Sequence, residues 1–335
     1  MLKGKMDLNS FVVKAPQNIA IENIPLPEIG DRDVLVRVAA CGICGTDRHI
    51  YHGHYPANYP VVIGHEFSGR VERAGREVRE VTPGDKVSID PNILCGTCSS
   101  CREGHPNLCR NMVALGVDLN GGLSPYCRVP VSQIYKLPPE ADLADASLVE
   151  PLSCVLHGVD LLGVKAGTRV VIFGGGFIGQ LMAQIIRLQG AARVVLVDPN
   201  EDKRAIARSL GFDTINSRDL RQLESLAEFD ASVDCAGAGK VLQQCIEITR
   251  PGGKILMFAA YGQGQEVAVT PYDIFRKQLQ LIGSFTYPDT QSRAIRLLTS
   301  GKIVLDPLVT RIRLDEVVSL FTGERKLIKG VVVFP

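Results

Sequence analysis

Hydrophobic residues in the first part of the chain occur in short runs that glycine and proline interrupt. Three of these runs are rich in β-branched or alternating apolar residues: Val34–Ala39, Lys86–Ile89 and Cys127–Val131. Apolar residues at helical spacing are scarce in this part. The pattern predicts a mainly β domain over residues 1–150.

After residue 150, short β-branched runs alternate with amphipathic stretches of helical period. The predicted strands are Arg169–Phe173, Val194–Val197, Ala231–Cys235 and Lys254–Phe258, and the predicted helices are Ile178–Leu188, Glu201–Leu210 and Val241–Ile248. Strands that alternate with helices favour a parallel sheet with crossover helices. We therefore expect an α/β domain, a doubly wound parallel sheet, over residues 151–285. The last segment, 286–335, holds a predicted helix (Gln291–Leu298) and strand (Val331–Phe334), and we expect it to complete the first domain.

Length and composition are typical of a globular protein with two domains. The chain has 335 residues, of which 45% are apolar and 22% are charged, and one core seldom serves so long a chain. The net charge of +1 gives no field that would attract nucleic acid or an anionic membrane. No apolar run approaches the roughly 18 residues that span a bilayer, and the first residues lack the apolar core of a signal peptide. We expect a cytoplasmic protein.

A glycine-rich run, G-G-G-F-I-G at residues 174–179, lies between a predicted strand and a predicted helix. It fits the G-x-G-x-x-G pattern of dinucleotide sites, and Asp198 ends the next strand about 20 residues later. Gly174 permits the tight turn, Gly176 lets the backbone approach a pyrophosphate, and Gly179 lets helix and strand pack closely. The helix N-terminus offers free N–H groups to the phosphates.

The Asp198 carboxylate is expected to accept hydrogen bonds from the adenosine ribose and to repel the additional phosphate of NADP. We therefore expect NAD as the cofactor, with Lys203 and Arg204 as positive charges close to the ribose. The predicted cofactor-binding residues are Gly174, Gly176, Phe177, Ile178, Gly179, Asp198 and Lys203.

Four of the ten cysteines lie in one short stretch, Cys95, Cys98, Cys101 and Cys109. In a reducing compartment such cysteines are metal ligands or free thiols rather than disulfides. Four thiolates complete a tetrahedral zinc site and leave no position for substrate, so the predicted role is structural. Ligation of an iron–sulfur cluster is the alternative.

A second set of metal-binding side chains occurs at Cys44, at His65 with Glu66, and at Glu150 near the domain junction. Cys44 and the His65–Glu66 pair are predicted to lie on separate loops. Thiolate, imidazole and carboxylate all suit zinc, and three protein ligands leave one position open for substrate. Spacing alone makes this set a suggestion.

The run G-H-E-F-S-G at residues 64–69, continued by Gly75 and Val78, resembles the zinc motif of the medium-chain dehydrogenase/reductase family. That family includes the alcohol and sorbitol dehydrogenases, and the resemblance covers nearly the whole chain. The four clustered cysteines, the glycine-rich run and Asp198 follow in the family's order.

The resemblance implies a GroES-like catalytic domain, a Rossmann domain and two zinc ions per chain. It implies that Cys44, His65 and Glu66 bind the catalytic zinc, and that Glu150 binds it directly or through water. Thr46 matches the hydroxyl of a proton relay, and His49 is the candidate for the outer end of that relay.

The resemblance also implies that the enzyme transfers a hydride from a secondary alcohol of a polyol to NAD, which gives a ketose. The stretches 149–153 and 283–287 resemble sorbitol dehydrogenases, but Thr286 stands where those enzymes often have arginine. Arabinitol, xylitol, galactitol and (amino)cyclitols remain open as substrates. L-Threonine 3-dehydrogenases and butanediol dehydrogenases share most of these motifs and are the alternative.

Two other classes share this fold, a zinc-free reductase of activated double bonds and a catalytically inert protein that binds zinc and NAD. Both zinc sites count against the reductase, and the intact Cys44 and His65 count against the inert protein. By resemblance, we expect a homodimer or a homotetramer.

Overall fold

The chain divides into two compact units. In the computed structural model, which describes residues 8–219, 221–222 and 228–335, the first unit comprises the chain up to Pro151 with Gln291–Leu305 and Val309–Pro335. The second comprises Leu152–Thr290 with Asp306–Leu308. The domain boundaries given above stay predictions, because a division by compactness does not test which segments fold independently.

The first unit is built mainly from β-strands. Its strands are β1 (Asn9–Ala15), β2 (Asn18–Asn23), β3 (Asp33–Gly42), β4 (Val61–Val62), β5 (Glu66–Ala74), β6 (Lys86–Ile89), β7 (Asn92–Ile93), β8 (Val113–Ala114), β9 (Tyr126–Pro130), β10 (Ile134–Lys136), β17 (Val309–Ile312) and β18 (Lys329–Val333). The largest sheet has the order β10-β6-β5-β3-β18-β17, and β9 also pairs with β3. Strand β18, from the end of the chain, therefore completes the sheet beside β3.

Short helices connect or flank these strands. They are α1 (Gly45–His52), α2 (Ser99–Arg102), α3 (Leu143–Ala146), α9 (Gln291–Thr299) and α10 (Val317–Phe321), while α4 (Val149–Leu162) spans the boundary between the units in sequence. The core of the unit is a cluster of buried aliphatic and aromatic side chains that includes Phe11, Val36, Phe67 and Val332.

The second unit is a six-stranded parallel sheet with crossover helices. Its strands are β11 (Arg169–Phe173), β12 (Arg193–Val197), β13 (Asp213–Ile215), β14 (Phe229–Asp234), β15 (Thr249–Met257) and β16 (Gln280–Gly283), in the order β13-β12-β11-β14-β15-β16. The helices are α5 (Phe177–Leu188), α6 (Glu201–Ser209), α7 (Gly239–Ile248) and α8 (Pro271–Lys277). Every strand pair in this sheet is parallel, so the predicted α/β class is confirmed.

The loop prediction holds at Cys44, which lies outside the helix as its N-cap, but helix α1 begins at the next residue and was not predicted. The prediction for His65 and Glu66 holds only in part, since Glu66 is the first residue of β5. The sequence Gly45–His52 carries five polar aromatic or charged side chains and only two buried residues, Asp47 and Ile50. So short a helix with so narrow an apolar face leaves no clear helical period in the sequence.

Candidate metal centres and dinucleotide site

Cys44 lies at the beginning of α1 and is held there by local hydrogen bonding. It is the N-cap residue, with extended backbone, and its N–H donates to Asp47 Oδ2 at 2.7 Å. A carboxylate in the first helical turn satisfies an N–H that the helix leaves unpaired. The Cys44 sulfur lies 3.7 Å from Thr46 Oγ1, so the predicted relay hydroxyl is adjacent to the predicted zinc ligand.

His65 and Glu66 bring their side chains to the same place as Cys44. One ligand atom from each of the three residues lies within 4.8 Å of the others. His65 and Glu66 are buried, with 9% and 1% of their surfaces exposed. The set combines a thiolate, an imidazole and a carboxylate, which is a donor set suited to zinc.

Asp47 also supports the imidazole of His65. Its Oδ1 lies 3.4 Å from His65 Nδ1, and the Asp47 side chain is fully buried. Burial opposes a positive charge on His65, but Asp47 and Cys44 outweigh it and raise the pKa of His65 well above its usual value. The negative groups around this imidazole therefore favour a positive charge at this place, which a bound metal ion can supply. A carboxylate beside a ligating histidine is typical of metal sites.

Lys329 is a further charged group at this centre. Its ammonium forms a buried ion pair with Glu66 Oε2 and donates to the carbonyl of Ile43 at 3.0 Å. Burial would lower the pKa of Lys329, but Glu66 outweighs it and raises that pKa. Gly42 makes the approach possible, because a Cβ there would lie 2.2 Å from Glu66 Oε2.

Sequence reasoning named neither Asp47 nor Lys329 as a functional residue. Asp47 stands in the quoted Cys44–Asp47 run, but its role depends on the fold that brings it to His65. Lys329 is 263 residues from Glu66 along the chain. A single lysine at the start of an otherwise apolar strand was the available signal, because lysine is seldom fully buried without a partner.

The other predicted catalytic residues lie apart from this group. Glu150 is buried in the first turn of α4, and it is outside the set of close ligand atoms found among the described residues. His49 is exposed on α1, with its ring 6.2 Å from that of His54. Partial burial, with the imidazoles of His54 and His52, lowers the pKa of His49, which keeps it neutral and able to accept a proton.

The four clustered cysteines form the second candidate metal centre. Their sulfur atoms all lie within 4.8 Å of one another. The Cys109 sulfur is 3.5 Å from that of Cys95 and 4.0 Å from that of Cys98. Four sulfurs placed tetrahedrally about 2.3 Å from zinc would be about 3.8 Å apart. The residues therefore fit zinc, without change of fold.

Ionisation of these thiols also favours a cation. Backbone and side-chain hydrogen bonds from Thr97, with the N–H of Cys98, lower the pKa of Cys95 to about 5. Partial burial and the neighbouring thiols of Cys98 and Cys109 raise the pKa of Cys101 to about 12. Like charges this close cannot all ionise without a compensating charge, which a divalent metal supplies.

The glycine-rich run joins β11 to α5 in the second unit. Gly174 has φ of 104°, and a Cβ at Gly179 would lie 1.8 Å from the Gly174 carbonyl oxygen. Gly176 is the N-cap of α5, and a Cβ there would meet no atom of the described residues within 4 Å. The helix thus begins at an open cradle, which fits a pyrophosphate.

Asp198 lies at the carboxyl end of β12, beside this cradle. It is 5% exposed, and its carboxylate accepts hydrogen bonds from the N–H groups of Gly175 and Asn200, both at 2.8 Å. The Lys203 ammonium lies 3.6 Å from Asp198 Oδ2. A carboxylate and an ammonium therefore occur together where the ribose of a dinucleotide is expected.

A tyrosine hydrogen-bonds across the carboxyl ends of β14 and β15. Tyr261, in the loop after β15, donates its hydroxyl to Asp234 Oδ2 at the end of β14. The other oxygen of Asp234 accepts from the N–H groups of Ala236 and Gly237, at 2.8 and 3.0 Å. The loops that follow β14 and β15 are thereby held together by hydrogen bonds to one carboxylate.

Comparison with known proteins identifies the family. The alcohol dehydrogenase GroES-like domain matches residues 30–139, and the zinc-binding dehydrogenase domain matches residues 178–300. L-Idonate 5-dehydrogenase of Vitis vinifera is 36% identical over 310 residues, which cover 88% of this chain and 84% of that protein. The chain belongs to the zinc-binding dehydrogenases. It is therefore an oxidoreductase, and the predicted GroES-like and Rossmann domains are confirmed.

Two other relatives of this dehydrogenase extend the comparison. D-Arabinitol dehydrogenase 1 of Uromyces fabae is 33% identical over 317 residues, which cover 91% of this chain and 90% of that protein. The structure of a zinc-binding dehydrogenase of Sinorhizobium meliloti 1021 bound to NADP is 38% identical, with a TM-score of 0.95 over 98% of this chain and 99% of that one. Among the described residues of this dehydrogenase, no helix is both long enough and apolar enough to cross a bilayer.

Proposed function

We propose that this dehydrogenase oxidises a secondary hydroxyl of a polyol with NAD, at a zinc held by Cys44, His65 and Glu66. The observation that carries the proposal is the convergence of these three ligand atoms within 4.8 Å. Glu150 is proposed as a further ligand, directly or through water. Cys95, Cys98, Cys101 and Cys109 are proposed to hold a second, structural zinc.

The catalytic zinc, when bound, lowers the pKa of a substrate hydroxyl that approaches it. The residues of the chain have separate tasks. Asp47 orients the imidazole of His65, and the Lys329 ammonium partly neutralises the negative charge of Glu66. Thr46, whose Oγ1 lies 3.7 Å from the Cys44 sulfur, is proposed to take up the proton of the substrate hydroxyl while its own hydroxyl proton moves on toward solvent.

His49 is proposed to pass that proton to solvent. It is exposed on α1, and its lowered pKa keeps the imidazole neutral near pH 7. A neutral imidazole can accept a proton and release it to water. Thr46 and His49 lie three residues apart on α1, so one short helix carries both proposed ends of the relay.

NAD is proposed as the hydride acceptor, bound by Gly174, Gly176, Phe177, Ile178, Gly179, Asp198 and Lys203. The open cradle at Gly176 suits the pyrophosphate, and the Asp198 carboxylate suits the ribose hydroxyls. The relative from Sinorhizobium meliloti was solved with NADP, and Lys203 offers a charge that could receive the additional phosphate. The preference for NAD therefore rests on Asp198.

The relatives support a polyol or sugar-acid hydroxyl as the substrate. Arabinitol and idonate both carry a secondary hydroxyl flanked by other hydroxyl groups, and the enzymes named for them align with most of this chain. The protein is proposed to act in the cytoplasm, with a small molecule as its partner and neither nucleic acid nor membrane.

A substrate panel tests the proposal. NAD reduction is followed by absorbance against arabinitol, xylitol, galactitol, sorbitol, idonate, a cyclitol, L-threonine and 2,3-butanediol. The expected result is turnover on one or two polyols that a chelator abolishes and zinc restores. Turnover on L-threonine or butanediol alone would replace the polyol with the alternative substrate. Turnover at an unchanged rate in the presence of a chelator would contradict the zinc mechanism.

The chain is also proposed to form a homodimer or a homotetramer. Strand β16 is an edge of the parallel sheet, and an unpaired edge can be extended by the same edge of a second copy. Large apolar side chains near this edge are exposed, with exposures of 64% for Tyr272, 79% for Phe275 and 52% for Phe285. A second copy would cover them.

A further inference from the structure

Half of the histidines in the chain lie in one short segment. The chain has six histidines, and three of them, His49, His52 and His54, stand in the last turns of α1 and directly after it. All three side chains are exposed. The proposed reaction uses His49 alone, so it leaves the other two imidazoles without a role.

The backbone at the end of α1 places these three side chains together. His49 and His52 are three positions apart, so they share one face of the helix. Gly53, with φ of 75°, ends the helix in a left-handed turn, and the His54 N–H donates to the His49 carbonyl at 2.8 Å. This turn brings His54 back beside the last turn of the helix.

The imidazole rings lie at separations close to those of ligands that share a metal ion. The ring centre of His54 is 6.2 Å from that of His49 and 5.7 Å from that of His52. Two imidazoles bound to one tetrahedral zinc through bonds of about 2.1 Å have ring centres about 5 Å apart. The ring nitrogens do not all lie within 4.8 Å of one another, so binding requires these exposed side chains to turn toward a common centre. Exposed side chains change rotamer readily.

We propose that His49, His52 and His54 bind a divalent transition metal such as zinc, and that this ion inhibits the enzyme. The inhibition rests on the proposed role of His49 in proton transfer. Imidazole suits zinc, nickel and copper, whereas magnesium prefers oxygen ligands. A metal ion occupies the nitrogen lone pair that would otherwise accept the proton, so the relay loses its outer end when the ion binds.

This ion should be held more weakly than those of the two other centres. The three histidines are open to solvent, and neutral imidazoles do not offset the charge of the ion as thiolates and carboxylates do. The lowered pKa of His49 favours binding, because a histidine must be neutral to bind a metal. Dialysis against zinc-free buffer should therefore remove this ion and leave the two others in place.

The test adds zinc to full-length protein that has been dialysed in this way. Calorimetry measures binding, and NAD reduction measures kcat over the same range of zinc concentrations. We expect one additional zinc ion to bind per chain, and kcat to fall in step with its binding. Magnesium, as the comparison ion, should neither bind at this site nor inhibit.

His52→Gln and His54→Gln each remove one ligand and leave His49 in place. In each variant the Kd for the additional zinc should rise at least about tenfold, since even the loss of a group that supports a ligand weakens binding about 10–100-fold. Without added zinc, kcat should stay close to normal, because neither residue takes part in the proposed reaction. His105→Gln, which removes an exposed histidine of the four-cysteine segment, is the matched control and should change neither binding nor inhibition.

Two results would overturn the site, and each can be read without turnover. They are a failure of zinc to bind beyond the first two ions, and equal binding of the additional zinc by the unmodified protein and by the double variant His52→Gln/His54→Gln. Binding that leaves kcat unchanged would overturn the inhibition. A protein that binds the additional zinc but turns over no substrate of the panel would contradict the proposed function instead.

Discussion

At the scale of single residues, the Glu66 carboxylate has two interaction partners, the proposed metal and Lys329. One ligand atom of Glu66 lies with those of Cys44 and His65, while Oε2 is paired with the buried ammonium of Lys329. A buried ion pair that loses one partner leaves an uncompensated charge. A metal ion bound by Cys44, His65 and Glu66 can compensate the Glu66 charge when Lys329 is missing. The stability of the protein without Lys329 should therefore depend on whether the metal is bound.

Lys329→Met tests that coupling. In the zinc-free protein it should lower the free energy of unfolding by about 3–5 kcal/mol, the usual effect of breaking a buried pair. With zinc bound the loss should be smaller, because the metal compensates Glu66. Chemical unfolding with and without zinc measures both values, and equal losses in the two states would contradict the coupling.

The choice of dinucleotide is proposed to depend on Asp198. The Asp198 carboxylate is expected to repel the additional phosphate of NADP, and the Lys203 ammonium lies 3.6 Å from it. Asp198→Ser removes the carboxylate and leaves the Lys203 ammonium free to attract that phosphate. The ratio of kcat/KM for NADP to that for NAD should rise at least about tenfold, since like charges in contact cost several kcal/mol. Asp202→Ser, on the exposed side of α6, is the control that should leave the ratio unchanged. An unchanged ratio in Asp198→Ser would remove Asp198 from cofactor selection.

At the scale of elements, the four-cysteine segment is proposed to depend on a metal ion for its fold. It contains the short helix α2 and a single 3-10 turn at Pro106–Leu108, and most of its backbone hydrogen bonds join residues only three to five positions apart. Metal binding is expected to supply much of its stability. A zinc ion held by four sulfurs has no position for substrate, so the proposed role of this segment is structural.

Cys98→Ser should therefore remove one zinc per chain and lower the melting temperature, or weaken assembly, while kcat of the remaining folded enzyme stays close to normal. Metal analysis, thermal unfolding and a kinetic assay at low temperature measure these effects. Ser100→Ala, in the same helix, keeps all four thiols and is the matched control. Unchanged melting and unchanged assembly in Cys98→Ser would contradict a structural role.

The elements that could be predicted from sequence are those with a strong local pattern. Lys86–Ile89 and Arg169–Phe173 were predicted with the bounds that the structure gives them. Helix α1 was not, because its few buried residues leave no apolar stripe, and α8 was not, because none of its residues is buried. Strand β16 was also missed, since it is four residues long and mostly exposed, and its place depends on β15.

The same distinction applies to the candidate site. Cys44, His65 and Glu66 were found because metal-ligand residue types stand in a specific motif, and the structure brings their ligand atoms together. Lys329 was not found as a functional group. Its pairing with Glu66 across 263 residues is a property of the fold, and no local pattern encodes it.

At the scale of the whole molecule, the edge strand β16 is the predicted contact between copies. Phe275→Glu places a charge on the most exposed of the large apolar side chains, and burying an unpaired charge is unfavourable. The variant should shift the oligomer toward monomer, as measured by light scattering coupled to size-exclusion chromatography. Leu188→Glu, at the exposed end of α5, is the control. An unchanged mass for Phe275→Glu would place the contact elsewhere.

The most direct test of a catalytic zinc is the zinc content of the unmodified protein and of Cys44→Ser, together with their turnover on the polyol that the panel identifies. We expect two zinc ions per chain in the unmodified protein, one in the variant, and a loss of turnover that accompanies the missing ion. Cys44→Ser protein that keeps both zinc ions, or that turns over normally with one, would contradict a catalytic zinc at Cys44, His65 and Glu66.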